Sequence, residues 1–199
     1  GGSYLGAKCA LDALNGLKSD DKLEIIFLGQ TFSPNYVSQV LKYLDGKNFA
    51  INVISKSGTT TETSISFRLV KELLERQIGK EKAQKAIFAT TDKARGALKT
   101  LANQEGYATY VLPDDIGGRY SVLTAVGLFP LACANIDVKA MLLGAQEARE
   151  AYDNDDLTNN LCYRYAVSRD YMYRNGKPVE MYVTYEPQMS QISEWLKQL

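Results

Sequence analysis

Six hydroxyl side chains, Ser55, Ser57, Thr59, Thr60, Thr61 and Thr63, stand within the run Ile54-Ser55-Lys56-Ser57-Gly58-Thr59-Thr60-Thr61-Glu62-Thr63. Such a set can bind an anion. Hydroxyls donate to phosphate oxygens, Gly58 lets the backbone approach closely, and Lys56 adds a formal charge. A helix starting in this run adds its exposed N–H groups and the positive end of its dipole. The plainer alternative is a helix N-cap, which Thr60 to Thr63 with Glu62 would serve. A cap uses one hydroxyl, so the density favours the cradle. The GxxxxGK spacing of the nucleotide-binding loop is absent.

Two more loops carry candidate groups. Gly1-Gly2-Ser3 leads straight into a helical pattern and offers glycines and a hydroxyl, although a linker would read the same. Asp115-Ile116-Gly117-Gly118-Arg119-Tyr120-Ser121 places paired glycines before an arginine, so the backbone can bend sharply and fix the guanidinium's direction; a turn with a surface arginine is the alternative. With no histidine in the sequence, no Ser-His or Cys-His nucleophile pair exists within it. Cys9, Cys133 and Cys162 form no CxxC pair and read as idle or buried thiols rather than zinc ligands. Glu62, Glu186 and Glu194 lack a neighbour that would mark an acid or base, and read as capping or solvated residues.

The elements that must position these loops follow from two hydrophobic periods. Short β-rich runs at Leu23 to Leu28, Phe49 to Ile54, Ala86 to Thr90 and Tyr107 to Leu112 are bounded by Gly, Asp or Ser and are too short for helices. Between them Tyr36, Val37, Val40, Leu41 and Leu44 make one helical face that Pro34 opens, and Ile65, Leu69, Val70, Leu73, Leu74 and Ile78 make another that Gly79 stops. This βαβαβαβ order predicts an α/β fold, a three-layer sandwich around a parallel sheet, with a strand expected ahead of the first helix. All three loops follow strand ends or open helices, so they fall along one sheet edge, where α/β proteins bind ligands. From Val122 to about Tyr152 the pattern is mostly helical. Residues 157–175 read as a further helix, followed by a strand at Val179 to Tyr185 and a last helix after Pro187: the start of a second α/β unit. The expected division is 1–152, 153–175 and 176–199. The tyrosines from Tyr152 to Tyr185 read as core or interface residues.

Lys and Arg number 23 against 23 Asp and Glu, and 45% of the 199 residues are hydrophobic. A chain so composed can bury a core, and its balanced charge argues against a nucleic-acid or anionic-membrane surface. No apolar run approaches the ~20 residues of a membrane-spanning helix, and no signal peptide is evident, so a soluble cytoplasmic protein acting on a small polar ligand is expected.

The segments Gly2-Ser3-Tyr4-Leu5-Gly6, Ser55 to Thr63 and Asp114 to Gly127 (DDIGGRYSVLTAVG) together resemble the glucose-6-phosphate isomerase family of the bacterial type. The second segment is also similar to the sugar-phosphate loop of the wider sugar isomerase (SIS) domain superfamily, which has a flavodoxin-like layered fold. The resemblance implies that Ser55, Lys56, Ser57, Gly58, Thr59 and Thr60 hold the substrate's phosphate, that Gly2 and Ser3 contact the sugar, and that Arg119 stabilises an enediolate during proton transfer. Gln198 matches a substrate-site glutamine four residues before the family's catalytic glutamate, which would fall three residues past Leu199. The family's ring-opening histidine and late active-site lysine also lie outside these residues.

On that resemblance the parent protein interconverts glucose 6-phosphate and fructose 6-phosphate through a cis-enediol, as a homodimer, without metal or organic cofactor, and this chain alone is inactive. Two other readings share the serine loop: a non-catalytic phosphosugar-sensing SIS domain of a regulator, and the isomerase domain of glucosamine-6-phosphate synthase. The sensor would not need Arg119 behind two glycines.

Overall fold

Apolar runs become strands where a second run lies alongside to take their backbone hydrogen bonds. The computed structural model describes residues 2–15 and 23–199, and three of the four expected runs pair in it. Strands β1 (Ile51–Ile54), β2 (Ile87–Thr91) and β3 (Ala108–Val111) form a parallel sheet in the order β1-β2-β3, with Val53 opposite Ala89 and Ala89 opposite Thr109. Parallel neighbours need crossovers, and helices supply them. Helix α3 (Thr61–Ile78) and the short α4 (Lys80–Lys85) link β1 to β2, and α5 (Ala97–Glu105) links β2 to β3.

Alternation along the strands divides their side chains between two faces. Val53, Ile87 and Ala89 meet Leu74 of α3, Ala83 of α4, Leu98 and Ala102 of α5, and Tyr107 in one buried cluster. On the other face Phe129, carried by a helix at Ala125–Cys133, lies against Phe88 and Tyr110 with ring centroids 5.2 and 4.7 Å apart. The layered α/β arrangement expected from the sequence is therefore present. The flanking helices are α1 (Tyr4–Asn15) and α2 (Pro34–Leu44), with α6 (Ala125–Cys133), α7 (Val138–Tyr152), α8 (Leu161–Arg174) and α9 (Ser190–Gln198) following β3. Ser33 caps α2 by accepting the Tyr36 N–H, and Pro34 stands in its first turn, as the sequence implied.

Two expected strands do not form. Residues 23–28 stand outside the sheet, and a side chain takes up part of their backbone: the Tyr36 hydroxyl donates to the Phe27 carbonyl at 3.0 Å. Residues 179–185 likewise pair with no strand among the described residues, and Tyr185 is 95% exposed. A lone strand leaves its N–H and C=O groups to water and buries neither face, so pattern alone does not make one. The stretch from Val122 to Tyr152 also breaks into α6 and α7. Asn135 adopts the left-handed region at φ 60°, and Asp137 caps α7 by accepting the Lys139 and Ala140 N–H groups. Among the described residues no helix is long and apolar enough to cross a membrane.

Candidate active site

The carboxyl ends of β1, β2 and β3 open onto one cleft of about 710 Å³. Gly2, Ser3, Ser55, Lys56, Ser57, Thr60 and Arg119 all line it, so the three loops singled out in the sequence converge on one edge of the sheet. Gly1 lies outside the described residues.

Two serines of the hydroxyl-rich loop help to shape it, and both line the cleft. The buried Ser55 Oγ accepts the Gly58 N–H at 3.0 Å, and Ser57 Oγ accepts the Thr59 N–H at 3.2 Å while standing 2.8 Å from the Thr59 hydroxyl. Gly58 sits at φ 75°, where a β-carbon would overlap the Leu98 backbone nitrogen, so the start of α5 packs directly on this turn. The Ala97 N–H closes the contact by donating to the Ser57 carbonyl at 3.0 Å. Thr60 occupies the N-cap position of α3, yet its side chain makes no capping hydrogen bond; its hydroxyl lies 3.5 Å from Ser55 Oγ. The cap alternative thus fails on geometry at Thr60, and the hydroxyl lines the cleft instead. Thr59 is exposed, and neither it nor Gly58 is among the cleft's lining residues.

The third loop leaves β3 at the buried Leu112, whose N–H donates to Thr91 O at 2.8 Å. Lys56 reaches across to it, donating to the carbonyls of Pro113 (3.1 Å) and Asp114 (2.8 Å). A single 3₁₀ stretch, Gly118–Leu123, then carries Arg119, and the buried Ser121 stabilises it by donating to the Gly118 carbonyl at 2.6 Å. The Arg119 carbonyl accepts the Trp195 indole N–H of α9 at 3.1 Å. Helix α9 also brings Gln198 against the first loop: a β-carbon on Gly2 would meet the Gln198 amide nitrogen at 2.7 Å. Gln198 touches Gly2, which lines the cleft, but is not itself a lining residue, and its Oε1 is buried without a hydrogen-bond partner.

Sequence reasoning missed the loop after β2. Asp92, 7% exposed, and Arg95 both line the cleft. Asp92 Oδ1 accepts the Ala94 and Arg95 N–H groups at 2.8 and 2.9 Å, and these two bonds hold its carboxyl below the usual aspartate range. The Arg95 guanidinium stands 3.7 Å from the carboxylates of both Asp92 and Asp114. The available signal was position: Asp-Lys-Ala-Arg-Gly follows a strand and opens a helix, as the other loops do. None of the three glutamates noted in the sequence lines the cleft. Glu186 caps the turn at Pro187–Met189, and Glu194 pairs with Lys197 at 2.7 Å.

The cleft is thus lined by hydroxyl-bearing residues Ser3, Ser57 and Thr60, the last at the N-terminus of α3, and by two arginines, Arg95 and Arg119. A family model described as phosphoglucose isomerase matches residues 1–199. The chain belongs to the phosphoglucose isomerase family. It is 56% identical over 201 residues to the glucose-6-phosphate isomerase of Staphylococcus saprophyticus and 52% identical over 206 residues to that of Clostridioides difficile, and all of it is covered in both alignments. It spans 45% and 46% of those relatives, so it corresponds to about half the length of the curated members it matches. Among solved structures, a hypothetical protein of Thermus thermophilus superposes on the whole chain with a TM-score of 0.88 at 30% identity, over 46% of its own length. A glucose-6-phosphate isomerase of Chlamydia trachomatis superposes with a TM-score of 0.83 at 24% identity, over 38% of its length, a likeness of fold.

Proposed function

We propose that this chain is the phosphate-holding and enediolate-stabilising part of an aldose–ketose isomerase that interconverts glucose 6-phosphate and fructose 6-phosphate through a cis-enediol. The observation that carries the reading is the convergence of Ser3, Ser57, Thr60 and Arg119 on one cleft at the carboxyl edge of the sheet. In this reading the hydroxyls of Ser57 and Thr60 and the N-terminus of α3 bind the phosphate, and Thr59 supports Ser57 from outside the cleft's lining. Gly2 and Ser3, with Gln198 behind them, contact the sugar. Arg119 then faces the oxygen on which charge develops as a proton moves between C1 and C2, and a fixed cation there lowers the barrier. The protein works in the cytoplasm, in glycolysis and gluconeogenesis, as a homodimer. Residues 1–152 form its first SIS domain, 153–175 a connecting helical segment and 176–199 the first piece of a second domain.

The proton-transferring base comes from outside these residues. The acids lining the cleft are Asp92 and Asp114, and Asp92 is engaged by two backbone N–H groups that favour its charged, weakly basic form. General acid–base catalysis is worth roughly 10² to 10⁴-fold, so the 199-residue chain should bind phosphosugar and show no measurable turnover in a coupled fructose 6-phosphate assay. Calorimetry with glucose 6-phosphate tests the binding half. Replacing Ser57 and Thr60 together with alanine should weaken it by about 10-fold or more, since a hydrogen bond to a charged group is worth about 1.5–3 kcal/mol. Unchanged affinity in that variant removes the phosphate assignment, and turnover by the chain alone shows that its base lies within these residues.

A further inference from the structure

Lys56 stands in the middle of the anion-binding loop, where its charge invites assignment to the phosphate, yet its ammonium is directed elsewhere. The half-buried side chain crosses from the end of β1 to the segment that leaves β3 and donates to two successive carbonyls there, Pro113 at 3.1 Å and Asp114 at 2.8 Å. A lysine ammonium carries three N–H donors and no acceptor. Two are taken by these carbonyls, and the Asp114 carboxylate stands 3.7 Å from the same nitrogen. Asp114 is approached from its other side by Arg95, also at 3.7 Å.

The segment that receives Lys56 has few other ties. Between Leu112, anchored to β2, and the 3₁₀ stretch that begins at Gly118, the described backbone contributes one long hydrogen bond, Ile116 N–H to Pro113 O at 3.4 Å, and at its far end the Gly117 carbonyl accepts the Tyr120 N–H at 3.0 Å. Arg119 follows five residues after Asp114, beyond the two glycines. Its downstream side is fixed by the Trp195 indole on its own carbonyl. Lys56 is thus the side chain that ties the upstream side of the arginine loop to the hydroxyl loop.

Resting on the isomerase reading above, we infer that Lys56 is a positioning residue for Arg119: it fixes the distance between the phosphate-binding loop and the cation that stabilises the enediolate. The hydroxyls and backbone N–H groups then hold the phosphate, and the lysine sets where the other end of the substrate meets Arg119. A link of this kind acts on the transition state more than on ground-state binding, because the phosphate contacts survive when the arginine loop drifts. A displacement of about 1 Å at the reacting end can cost on the order of 10²-fold in rate.

The test is Lys56→Met in the whole protein, with Lys56→Arg beside it. The methionine variant should lose about 10- to 100-fold in kcat while the KM for fructose 6-phosphate moves by less than about threefold, the pattern of an interaction realised in the transition state. Lys56→Arg should recover part of the lost kcat, because a guanidinium still donates to carbonyls from a different geometry. Hydrogen–deuterium exchange of the 199-residue chain gives an independent reading: residues 113–119 should exchange faster in Lys56→Met while β2 is unchanged. A KM raised 10-fold or more with kcat retained makes Lys56 a phosphate ligand and overturns the inference, and so does unaltered exchange at 113–119. If the wild-type whole protein shows no isomerase activity, the functional reading fails, and the exchange result alone decides the clamp. Should the methionine variant not fold, the arginine variant carries both measurements.

Discussion

Helices α3 and α8 have apolar stripes of comparable length and opposite fates. Ser66, Val70, Leu73 and Leu74 of α3 are buried, and Leu74, 1% exposed, packs with Val53, Ile87 and Ala89 of the sheet. No residue of α8 is buried, and Tyr171 is 64% exposed. What holds α8 to the segment after it is polar: Arg169 Nε meets Glu180 at 2.8 Å, and the Tyr165 hydroxyl donates to the Glu180 carboxylate and lies 3.0 Å from the Tyr182 hydroxyl. The Tyr165 phenol is pushed well above its usual range because it serves that carboxylate, and Glu180 is lowered in turn. An apolar stripe states which face a helix can bury, and a neighbouring layer decides whether it does. The candidate active site sits on the region that has all its layers.

The largest expected effect separates the two regions directly. Leu74→Ala should destabilise the chain by about 2–5 kcal/mol, the usual range for deleting a fully buried leucine side chain. Tyr171→Ala should stay within about 0.5 kcal/mol, as surface substitutions do. Urea unfolding followed by far-ultraviolet circular dichroism measures both. Equal losses would mean that α8 is packed in solution as firmly as α3.

What the sequence made legible follows the same division. The runs at 51–54, 87–90 and 108–111 were readable because each is a near-continuous apolar strand beside another of its kind. The convergence of Ser57 and Arg119 followed from their places after parallel strands. The runs at 23–28 and 179–185 carry the same signal but have no ladder partner among the described residues, a fact no local pattern contains. Asp92 and Arg95 escaped notice because a single acid and a single base in a turn look like any solvated pair. The direction of Lys56 depends on a loop 57 positions away, beyond the reach of any spacing rule.

A second, smaller effect sharpens the comparison at two glycines with nearly the same backbone conformation. Gly58 and Gly176 have φ of 75° and 78°, so an alanine at either bears the left-handed cost of roughly 1–2 kcal/mol. At Gly176 nothing lies within 4 Å of the added carbon, whereas at Gly58 it would press on the Leu98 backbone. Gly58→Ala should therefore cost about 2–4 kcal/mol, strain added to overpacking, and Gly176→Ala about 1. Thermal unfolding reads the difference. Matching melting temperatures would show that the start of α5 can yield, and that the hydroxyl loop is held less firmly than its packing implies.

The smallest effect compares two aspartates that do the same work in the two regions. Asp92, at the cleft, accepts the Ala94 and Arg95 N–H groups; the exposed Asp156, in the turn before α8, accepts the Thr158 N–H at 2.9 Å and the Asn159 side-chain amide at 2.5 Å. Both carboxyls are lowered, chiefly by the backbone N–H groups, because those donors favour the charged form. A folded pKa below the unfolded value of about 3.9 adds stability that is present above that value and is lost as pH falls through the folded pKa. Acid should loosen both turns, in the window below the ordinary aspartate range, and leave them intact at neutral pH. A carboxyl NMR titration should place both midpoints under the ordinary value. Asp92→Asn keeps an oxygen acceptor in place but removes the charge, so it should flatten the acid response at Ala94 and Arg95 while Thr158 still responds. If Asp92 titrates at or above the ordinary value, its carboxyl is not held by those N–H groups in solution. It would then be basic enough to be tested, by the same asparagine variant, as the proton-transferring group of the cleft.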